Sequence, residues 1–205
     1  MSSEAIAVGG GYVVQRVVPD DNNCLFRSVD PSVVAKLRKL VADCIRKDTD
    51  TYSEAFLGKP VEEYCNWIMK ESWGGAIELS ILSKVYGVEI ASIDIQTGRV
   101  DRFGEGEYAQ RVILLYSGIH YDAVAMTPDP NAPREFDQTQ FEVSDDAVLP
   151  AALQLAARLR EKRQYTDLAN FTLRCSVCQT GLRGQKEATQ HALQTGHASF
   201  EEYLS

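Results

Sequence analysis

Apolar residues along the first half of the chain recur every three or four positions, which is the spacing of one face of a helix. These stretches predict helices over residues 31–47, 52–56, 61–70 and 76–86, and a further helix over 148–164. A short helix is also predicted to begin at Cys24, directly after a run of polar residues. Helices therefore dominate the first half of the chain.

Alternating or continuously apolar runs, which are typical of strands, follow the helices of the first half and also precede Cys24. Strands are predicted over 12–18, 88–95, 99–103, 111–116 and 119–125. The stretch 111–116 is the most apolar of these, so we place it at the centre of a sheet. Because most helices precede most strands, the order predicts an α+β fold in which helices flank a small central sheet.

Four segments are expected from this pattern. Residues 1–11 contain Gly9-Gly10-Gly11 and have no basic segment or apolar core, which predicts a flexible tail and no signal peptide. Residues 12–146 form the main domain, residues 147–168 form a connecting helix, and residues 169–205 form a small second module. A chain of 205 residues has room for one ordinary domain and such a module.

Composition and charge exclude some function classes. The net charge is −8, and residues 1–150 hold 14 Lys and Arg against 24 Asp and Glu. Nucleic acid needs basic surface, so an acidic main domain is a poor partner for it and suits a basic ligand better. No run of 18 apolar residues indicates a membrane helix. Five cysteines, an odd number, favour a reducing compartment, so we expect a cytosolic or nuclear protein. We also expect a monomer.

Cys24 follows the polar loop Pro19–Asn23 and begins a helix. A helix N-terminus carries partial positive charge and unpaired N–H groups, which favour thiolate and can hold an oxyanion. The alternative is a buried structural cysteine. Cys44 and Cys65 fit that description, because each lies on an apolar stripe with helical spacing. Cys24 has only the polar loop before it, so it is the candidate nucleophile.

A cysteine nucleophile needs a base, which is usually histidine. His120 lies between two predicted strands, and Asp122 follows it by two positions. Alternate residues of a strand share a face, so Asp122 is placed to orient the imidazole and stabilise its charged form. The alternative is a surface histidine in a hairpin, and spacing alone leaves both interpretations open.

The other two histidines belong to the pattern Cys175-x2-Cys178-x12-His191-x5-His197. This spacing predicts a zinc finger with two cysteines and two histidines, the histidines coming from one helix. Four protein ligands make a closed tetrahedral site, which is structural and not catalytic. A single finger on an acidic protein is expected to bind protein and not DNA. The basic run over 158–163 is expected to be a solvated helix face.

Three segments of the sequence resemble the signature motifs of the OTU (ovarian tumour) cysteine deubiquitinases, in the family's order and spacing. They are Pro19-x-Asp21-Asn22-x-Cys24-Leu25-Phe26, Trp73-Gly74-Gly75-x-x-Glu78-Leu79 and Gly118-Ile119-His120-Tyr121-Asp122. The resemblance extends from about Arg16 to the C-terminus and is greatest to the subfamily with a C-terminal C2H2 finger. It implies a papain-like OTU fold and a ββα-type finger holding one structural Zn²⁺.

The resemblance implies hydrolysis of isopeptide bonds after the C-terminal glycine of ubiquitin. Cys24 would be the nucleophile and His120 the general base and acid, with Asp122 orienting His120. Asp21 would shape the loop before Cys24, and N–H groups of Asp21 to Cys24 would hold the oxyanion. The residues implied to contact ubiquitin are Asn22, Asn23, Trp73, Gly74, Gly75, Ile119, Tyr121, Asp146 and Ala147, the last two with a second ubiquitin of a chain.

Ubiquitin and polyubiquitin chains are the partners that the resemblance implies, in protein quality control and ER-associated degradation. The subfamily also works with the AAA segregase ATPase valosin-containing protein, which it reaches through an N-terminal ubiquitin-like domain. The residues before Cys24 are too few for such a domain. The competing hypothesis is a nucleic-acid-binding or adaptor protein with one finger and a structural Cys24. Linkage preference and physiological substrates have no signature in the sequence.

Overall fold

The computed structural model describes residues 4–19, 21–30, 32–70, 72–167, 172–197 and 200–202. A main domain contains one sheet with helices around it, and a second module contains a small sheet and one helix. None of the described helices combines the length and apolarity that crossing a membrane requires. The helices of the main domain are α1 (Cys24–Val29), α2 (Val34–Lys47), α3 (Glu54–Leu57), α4 (Val61–Ile68), α5 (Ala76–Tyr86) and α6 (Val148–Glu161).

The main sheet has seven strands in the order β1-β2-β6-β5-β3-β4, and β7 pairs with β5 beside this path. Its pairs are antiparallel except for β3 and β5, which run parallel. The strands are β1 (Ala5–Val8), β2 (Gly11–Arg16), β3 (Glu89–Asp94), β4 (Val100–Phe103), β5 (Gln110–Tyr116), β6 (Tyr121–Thr127) and β7 (Phe141–Glu142).

Both faces of this sheet are covered by helices. Leu114 of β5 packs into a core with α1, α2, α4 and α5. Its neighbours Ile113 and Leu115 point to the other face and pack with α6, as alternation along a strand requires. The α+β arrangement of helices flanking a central sheet is therefore confirmed, and the most apolar predicted strand does lie inside the sheet.

The prediction of a flexible tail over residues 1–11 is wrong for the part that the structure describes. β1 pairs with β2 in a hairpin that joins the main sheet through β6. Gly9 and Gly10 have φ angles of 52° and 92° and form its two-residue turn, a conformation that glycine adopts readily. The glycine run therefore marks a tight turn, and residues 1–3 lie outside the described residues.

The helix predicted to connect two modules over 147–168 is a layer of the main domain. Leu155 and Leu159 of α6 are completely buried against the sheet. Part of the basic run over 158–163 holds β1: Arg158 Nη1 donates to Ala5 O at 3.0 Å, and Lys162 pairs with Glu4. Helical spacing predicted the apolar stripe of α6, but spacing does not say which surface covers it.

The C-terminal module contains β8 (Thr172–Cys175), β9 (Gly181–Arg183), α7 (Gly184–Thr195) and β10 (Phe200–Glu202). Its sheet has the order β10-β8-β9, so the predicted ββα unit carries a third strand after its helix. Residues 169–171, 198–199 and 203–205 of the predicted module lie outside the described residues.

Candidate functional site

Cys24 is the first residue of α1 and is almost completely buried. The next two side chains, Leu25 and Phe26, anchor the helix in the core between α2, α4 and α5. Ser28 Oγ lies 2.8 Å from Cys24 O and 2.9 Å from Tyr121 O. Its single hydroxyl is therefore shared between α1 and the start of β6, and this places Cys24 beside the strand that follows His120.

His120 ends the turn between β5 and β6, and Asp122 lies on β6. His120 Nε2 is 3.0 Å from Asp122 Oδ1, so the structure brings the predicted pair into hydrogen-bond contact. Asp122 is itself held by Val18 N at 2.9 Å and Gln15 Nε2 at 2.6 Å. Because Nε2 faces the carboxylate, Nδ1 is the ring nitrogen that can exchange a proton with a thiol.

Tyr116 and Tyr121 flank the turn that carries His120. Their ring centroids are 4.6 Å apart. Burial raises the pKa of Tyr121, and the neighbouring Tyr116 and Cys24 charges add to the shift. Burial also raises the pKa of Tyr116, to which Asp94 and Cys24 contribute.

Asp21 lies in the loop before Cys24, which we call the Cys-loop (residues 19–23). Its Oδ1 accepts the N–H of Asn23 at 2.9 Å, and its Oδ2 accepts Arg27 Nε at 2.9 Å. The hydrogen bond from Arg27 holds the pKa of the Asp21 carboxyl below its usual value. Asp21 therefore braces the Cys-loop by joining it to Arg27 of α1.

Several of the N–H groups that were predicted to hold an oxyanion already donate hydrogen bonds to acceptors in the Cys-loop. Asp21 N donates to Pro19 O at 2.9 Å, Asn23 N donates to the Asp21 carboxylate, and Cys24 N donates to Asp21 O at 3.2 Å. Of these, the bond from Cys24 N is the longest. An oxyanion beside Cys24 would exchange this weak internal bond for a charge-assisted one.

The Trp73-Gly74-Gly75 segment lies directly beside the Cys-loop. Trp73 Nε1 donates to Asn22 Oδ1 at 2.7 Å, while its ring is largely exposed. A Cβ on Gly74 would lie 3.3 Å from Leu25 Cδ1, so the glycine permits close approach to the residue after Cys24. Gly75 N donates to Glu78 Oε2 at 2.7 Å, which ties the segment to the start of α5.

The remaining residues with an expected ubiquitin contact occupy two regions. Ile119 is partly exposed beside His120, and Tyr121 is packed on Tyr116. Asp146 and Ala147 are exposed and precede α6. Since α6 covers the face of the sheet opposite α1, the structure does not bring these two residues together with Cys24.

Sequence reasoning missed two side chains that hold this site. Gln15 supports Asp122 across 107 positions of sequence, and no local pattern indicates such a contact. Arg38 is almost completely buried and bonds to both Asn22 and Asn23. A signal for Arg38 did exist, because it is a charged residue within the apolar stripe of α2.

The two remaining candidate cysteines are core residues, as predicted. Cys65 is completely buried in α4, and its Sγ lies 3.5 Å from Ala42 O. Burial raises the pKa of the Cys65 thiol, which disfavours the reactive thiolate. Cys44 is half-buried and packs against the core of α1 to α5.

Cys175, Cys178, His191 and His197 form a cluster in the C-terminal module, and their ligand atoms all lie within 4.8 Å of one another. Cys175 Sγ is 3.7 Å from His197 Nδ1, and Cys178 Sγ is 3.4 Å from His191 Nε2. Tetrahedral zinc with its usual bond lengths needs sulfur–nitrogen separations of about 3.5 Å. The cluster therefore fits a metal ion. Hydrogen bonds with Thr180, and further ones with His197 and Cys175, lower the pKa of the Cys178 thiol to about 6.

The prediction that one helix supplies both histidines is wrong. His191 lies within α7, whereas His197 follows its end at Thr195. Six positions advance a helix by about 600°, which would turn the second ring away from the first. Gly196, with a φ of 76°, ends the helix and allows His197 to turn back.

Comparisons with known proteins agree with both modules. A family model described as OTU-like cysteine protease matches residues 19–123. A second, described as the C-terminal C2H2-type zinc finger of ubiquitin thioesterase OTU1, matches residues 169–203. A solved ovarian tumour (OTU) domain in complex with ubiquitin is 34% identical, with a TM-score of 0.69 over 76% of this chain and 91% of that chain.

Two similar relatives span most of this sequence. The ovarian tumour domain-containing deubiquitinating enzyme 2 of Arabidopsis thaliana is 48% identical over 205 residues, covering 94% of this chain and 99% of the relative. Ubiquitin thioesterase OTU1 of Danio rerio is 52% identical over 202 residues, covering 93% of this chain but 66% of the relative. The fold, the matched motifs and these relatives together show that the chain belongs to the OTU-like cysteine protease family.

Proposed function

We propose that this chain is a ubiquitin-specific cysteine protease that hydrolyses the bond after the C-terminal glycine of ubiquitin. The observation that carries the proposal is the hydrogen-bonded His120–Asp122 pair, between whose residues lies Tyr121, joined to the Cys24 backbone through the shared Ser28 hydroxyl. The relatives named as deubiquitinating enzyme and ubiquitin thioesterase support this substrate. The OTU domain solved with ubiquitin supports it as well.

The proposed reaction passes through a thioester. His120 Nδ1 takes the proton of the Cys24 thiol, and the thiolate attacks the carbonyl carbon of the ubiquitin glycine. The resulting oxyanion is held by N–H groups of the Cys-loop and by Cys24 N. The imidazolium gives its proton to the leaving lysine amine. A water molecule, deprotonated by His120, then hydrolyses the thioester and restores the thiol.

Asp122 stabilises the imidazolium through its contact with Nε2 and fixes the ring orientation. Asp21 has a different role, since its carboxylate braces the Cys-loop against Arg27. For the ubiquitin tail, we assign contacts to the Trp73–Gly75 segment, to Asn22 and Asn23, and to Ile119 and Tyr121. Asp146 and Ala147 are assigned to a second ubiquitin, because they lie apart from the cleft at the start of α6.

Cys175, Cys178, His191 and His197 would hold one structural Zn²⁺. Four protein ligands leave no position for water or substrate, so the ion would stabilise the module and take no part in hydrolysis. Ubiquitin chains are the proposed partners of a monomeric, cytoplasmic or nuclear enzyme acting in protein quality control and ER-associated degradation. The AAA segregase ATPase is a further proposed partner, and this proposal is supported only by the family resemblance.

A ubiquitin probe with a C-terminal electrophile tests the nucleophile. We expect the parent and Cys44→Ser to be captured at Cys24, because Cys44 belongs to the core of α2. Cys24→Ser should lose capture and hydrolysis while keeping its fold, since the change removes one sulfur atom. Capture or turnover by folded Cys24→Ser would refute the mechanism. Binding to nucleic acid by a parent that no probe captures would favour the adaptor hypothesis.

A further inference from the structure

Arg38 of α2 makes a set of contacts that its position in a helix does not require. Its Nε donates to Asn23 Oδ1 at 2.9 Å, and its Nη2 donates to Asn22 O at 2.7 Å and to Ser72 O at 2.8 Å. Its Nη1 donates to Ile68 O at 2.8 Å. One guanidinium therefore joins the Cys-loop, the end of α4 and the segment before Trp73.

These contacts connect two segments that are both proposed to contact the ubiquitin tail. Asn22 and Asn23 directly precede Cys24, and Ser72 directly precedes Trp73. A second bond, from Trp73 Nε1 to Asn22 Oδ1, joins the same two segments at the surface. Arg38 forms the buried half of this connection, and Trp73 forms its exposed half.

Arginine suits this task because of its shape. The guanidinium is planar and directs its donors in fixed directions, so acceptors from separate segments take fixed relative positions around it. The plane also lies over the Phe26 ring, 4.4 Å from its centroid. Phe26 follows Cys24 by two residues, so the same group packs on α1 as well as on the Cys-loop. A lysine would retain the charge but lose the planar fork.

We propose that Arg38 is a positioning residue that holds the Cys-loop and the Trp73 segment in one arrangement, so that Cys24 and its neighbouring N–H groups meet the bound carbonyl. It touches neither substrate nor reacting atoms and acts through Asn22, Asn23 and Ser72. The inference rests on the proposed role of Cys24 as nucleophile. A misplaced loop would reduce the rate of the chemical step more than it would reduce ubiquitin binding.

The first experiment compares Arg38→Lys with Arg111→Lys on a fluorogenic ubiquitin conjugate. Arg111 is a matched control because it is also buried, but it lies at the end of β5 away from His120, where its Nε donates to Glu89 of β3. Displacement of reacting groups by about 1 Å can cost a hundredfold in rate. We therefore expect Arg38→Lys to lower kcat by about ten- to a hundredfold with KM changed less than about threefold, while Arg111→Lys keeps its kcat.

Thermal unfolding of both variants separates positioning from stability. If Arg38→Lys stays folded and its kcat is unchanged, the proposal is overturned. Equal losses of kcat in the two variants would also overturn it, because they would follow from general destabilisation. If Arg38→Lys does not fold at the assay temperature, Asn23→Ala replaces it. This change removes the Nε acceptor and no capping bond, and an unchanged kcat would then refute the proposal.

The second experiment follows alkylation of Cys24 by iodoacetamide without ubiquitin, with half-buried Cys44 as the internal reference in the same peptide map. We expect Arg38→Lys to change the rate at Cys24 and its pH profile, but not the rate at Cys44. If the alkylation rate of Cys24 and its pH profile are the same in Arg38→Lys as in the parent, the inference is contradicted. Activity in Cys24→Ser would instead refute the proposed nucleophile, so the two failures are distinguishable.

Discussion

Asp122 carries more hydrogen bonds than orientation of a histidine requires. Its two oxygens accept Val18 N, Gln15 Nε2 and the His120 ring, so it joins β2 to the catalytic turn. Removal of this carboxylate therefore has two consequences. The imidazolium loses its partner, and a buried N–H loses its acceptor, which costs about 1–3 kcal/mol of folding free energy.

Substitutions at His120 should therefore affect mainly kcat, whereas substitutions at Asp122 should affect both kcat and stability. His120→Ala should lower kcat by about a thousandfold or more, because it removes the base. Asp122→Asn should lower kcat by a smaller factor and lose only the bond from Gln15, since the amide oxygen can still accept Val18 N. Asp122→Ala should add a loss of stability. Rate constants with the fluorogenic conjugate and thermal unfolding measure the two effects. A loss with Asp122→Asn as large as with His120→Ala would reverse the assigned roles.

How much of the site could be predicted differs between these residues. Cys24, His120 and Asp122 each had a local signal, namely a polar loop before a helix and alternation along a strand. Gln15 and Arg38 had no signal of their partners, because those contacts join segments that only the fold brings together. Local rules identify residues that do chemistry, whereas they cannot identify the distant side chains that hold them.

Secondary structure elements were predicted best where periodicity was long. The helix over 76–86 has the observed bounds, and the helix over 61–70 ends two residues early, at Ile68. The helix over 31–47 begins at Val34, and Pro31 lies outside the described residues. β1, β7 and β10 were not predicted, since strands of two to four residues carry too few positions for alternation.

The start of α5 provides a pH-dependent element. Glu78 is almost completely buried, and its carboxylate accepts Gly75 N and the Tyr64 hydroxyl. Burial nevertheless raises the pKa of Glu78 above its usual 4.5. Because its pKa is raised in the folded state, Glu78 makes its full contribution to the free energy of unfolding below about pH 4.5. This contribution is lost as the pH rises through the pKa that Glu78 has in the folded state.

Glu78→Gln should therefore become more stable relative to the parent as the pH is raised from about 4.5 to 7, because the glutamine never ionises. The free energy of unfolding of both proteins, measured by denaturant at several pH values, tests this. Glu62→Gln is a control of opposite sign, since the hydrogen bond from Arg46 lowers the pKa of this exposed carboxyl. A difference between Glu78→Gln and the parent that does not change with pH would contradict the role of burial.

At the scale of the whole molecule, the catalytic domain and the finger are joined by a segment with a role of its own. Thr166 N donates to Ser117 O at 2.7 Å, and Ser117 N donates to His120 O at 2.9 Å. Tyr165 packs against the core under α6. The residues after α6 therefore brace the turn that carries His120, although the sequence predicted them only as part of a connection.

Because of the bond from Thr166 to Ser117, the position of a C-terminal truncation should determine whether the His120 turn stays in place. A truncation after Asp167 removes the finger but keeps the bond from Thr166, whereas one after Gln164 removes both. We expect the first to retain kcat on a small fluorogenic ubiquitin conjugate within about threefold, because the nucleophile, base and oxyanion donors precede residue 125. The second should lose kcat several-fold, through movement of the His120 turn. Kinetic constants and thermal unfolding of both truncations measure this.

Chelation of metal from the full chain provides the matching control. Loss of Zn²⁺ should release about one ion per chain and unfold the finger locally, because so small a module depends on its metal. The linker and its bond to Ser117 should remain, so the chelated protein should behave like the truncation after Asp167 on the small conjugate.

Cleavage of long ubiquitin chains should fall in both the chelated protein and this truncation if the finger holds the chains. A truncation after Asp167 that stays folded but loses the small-substrate activity would make the finger part of the catalytic unit. Equal activity of the two truncations would show that the Thr166 bond does not act on His120.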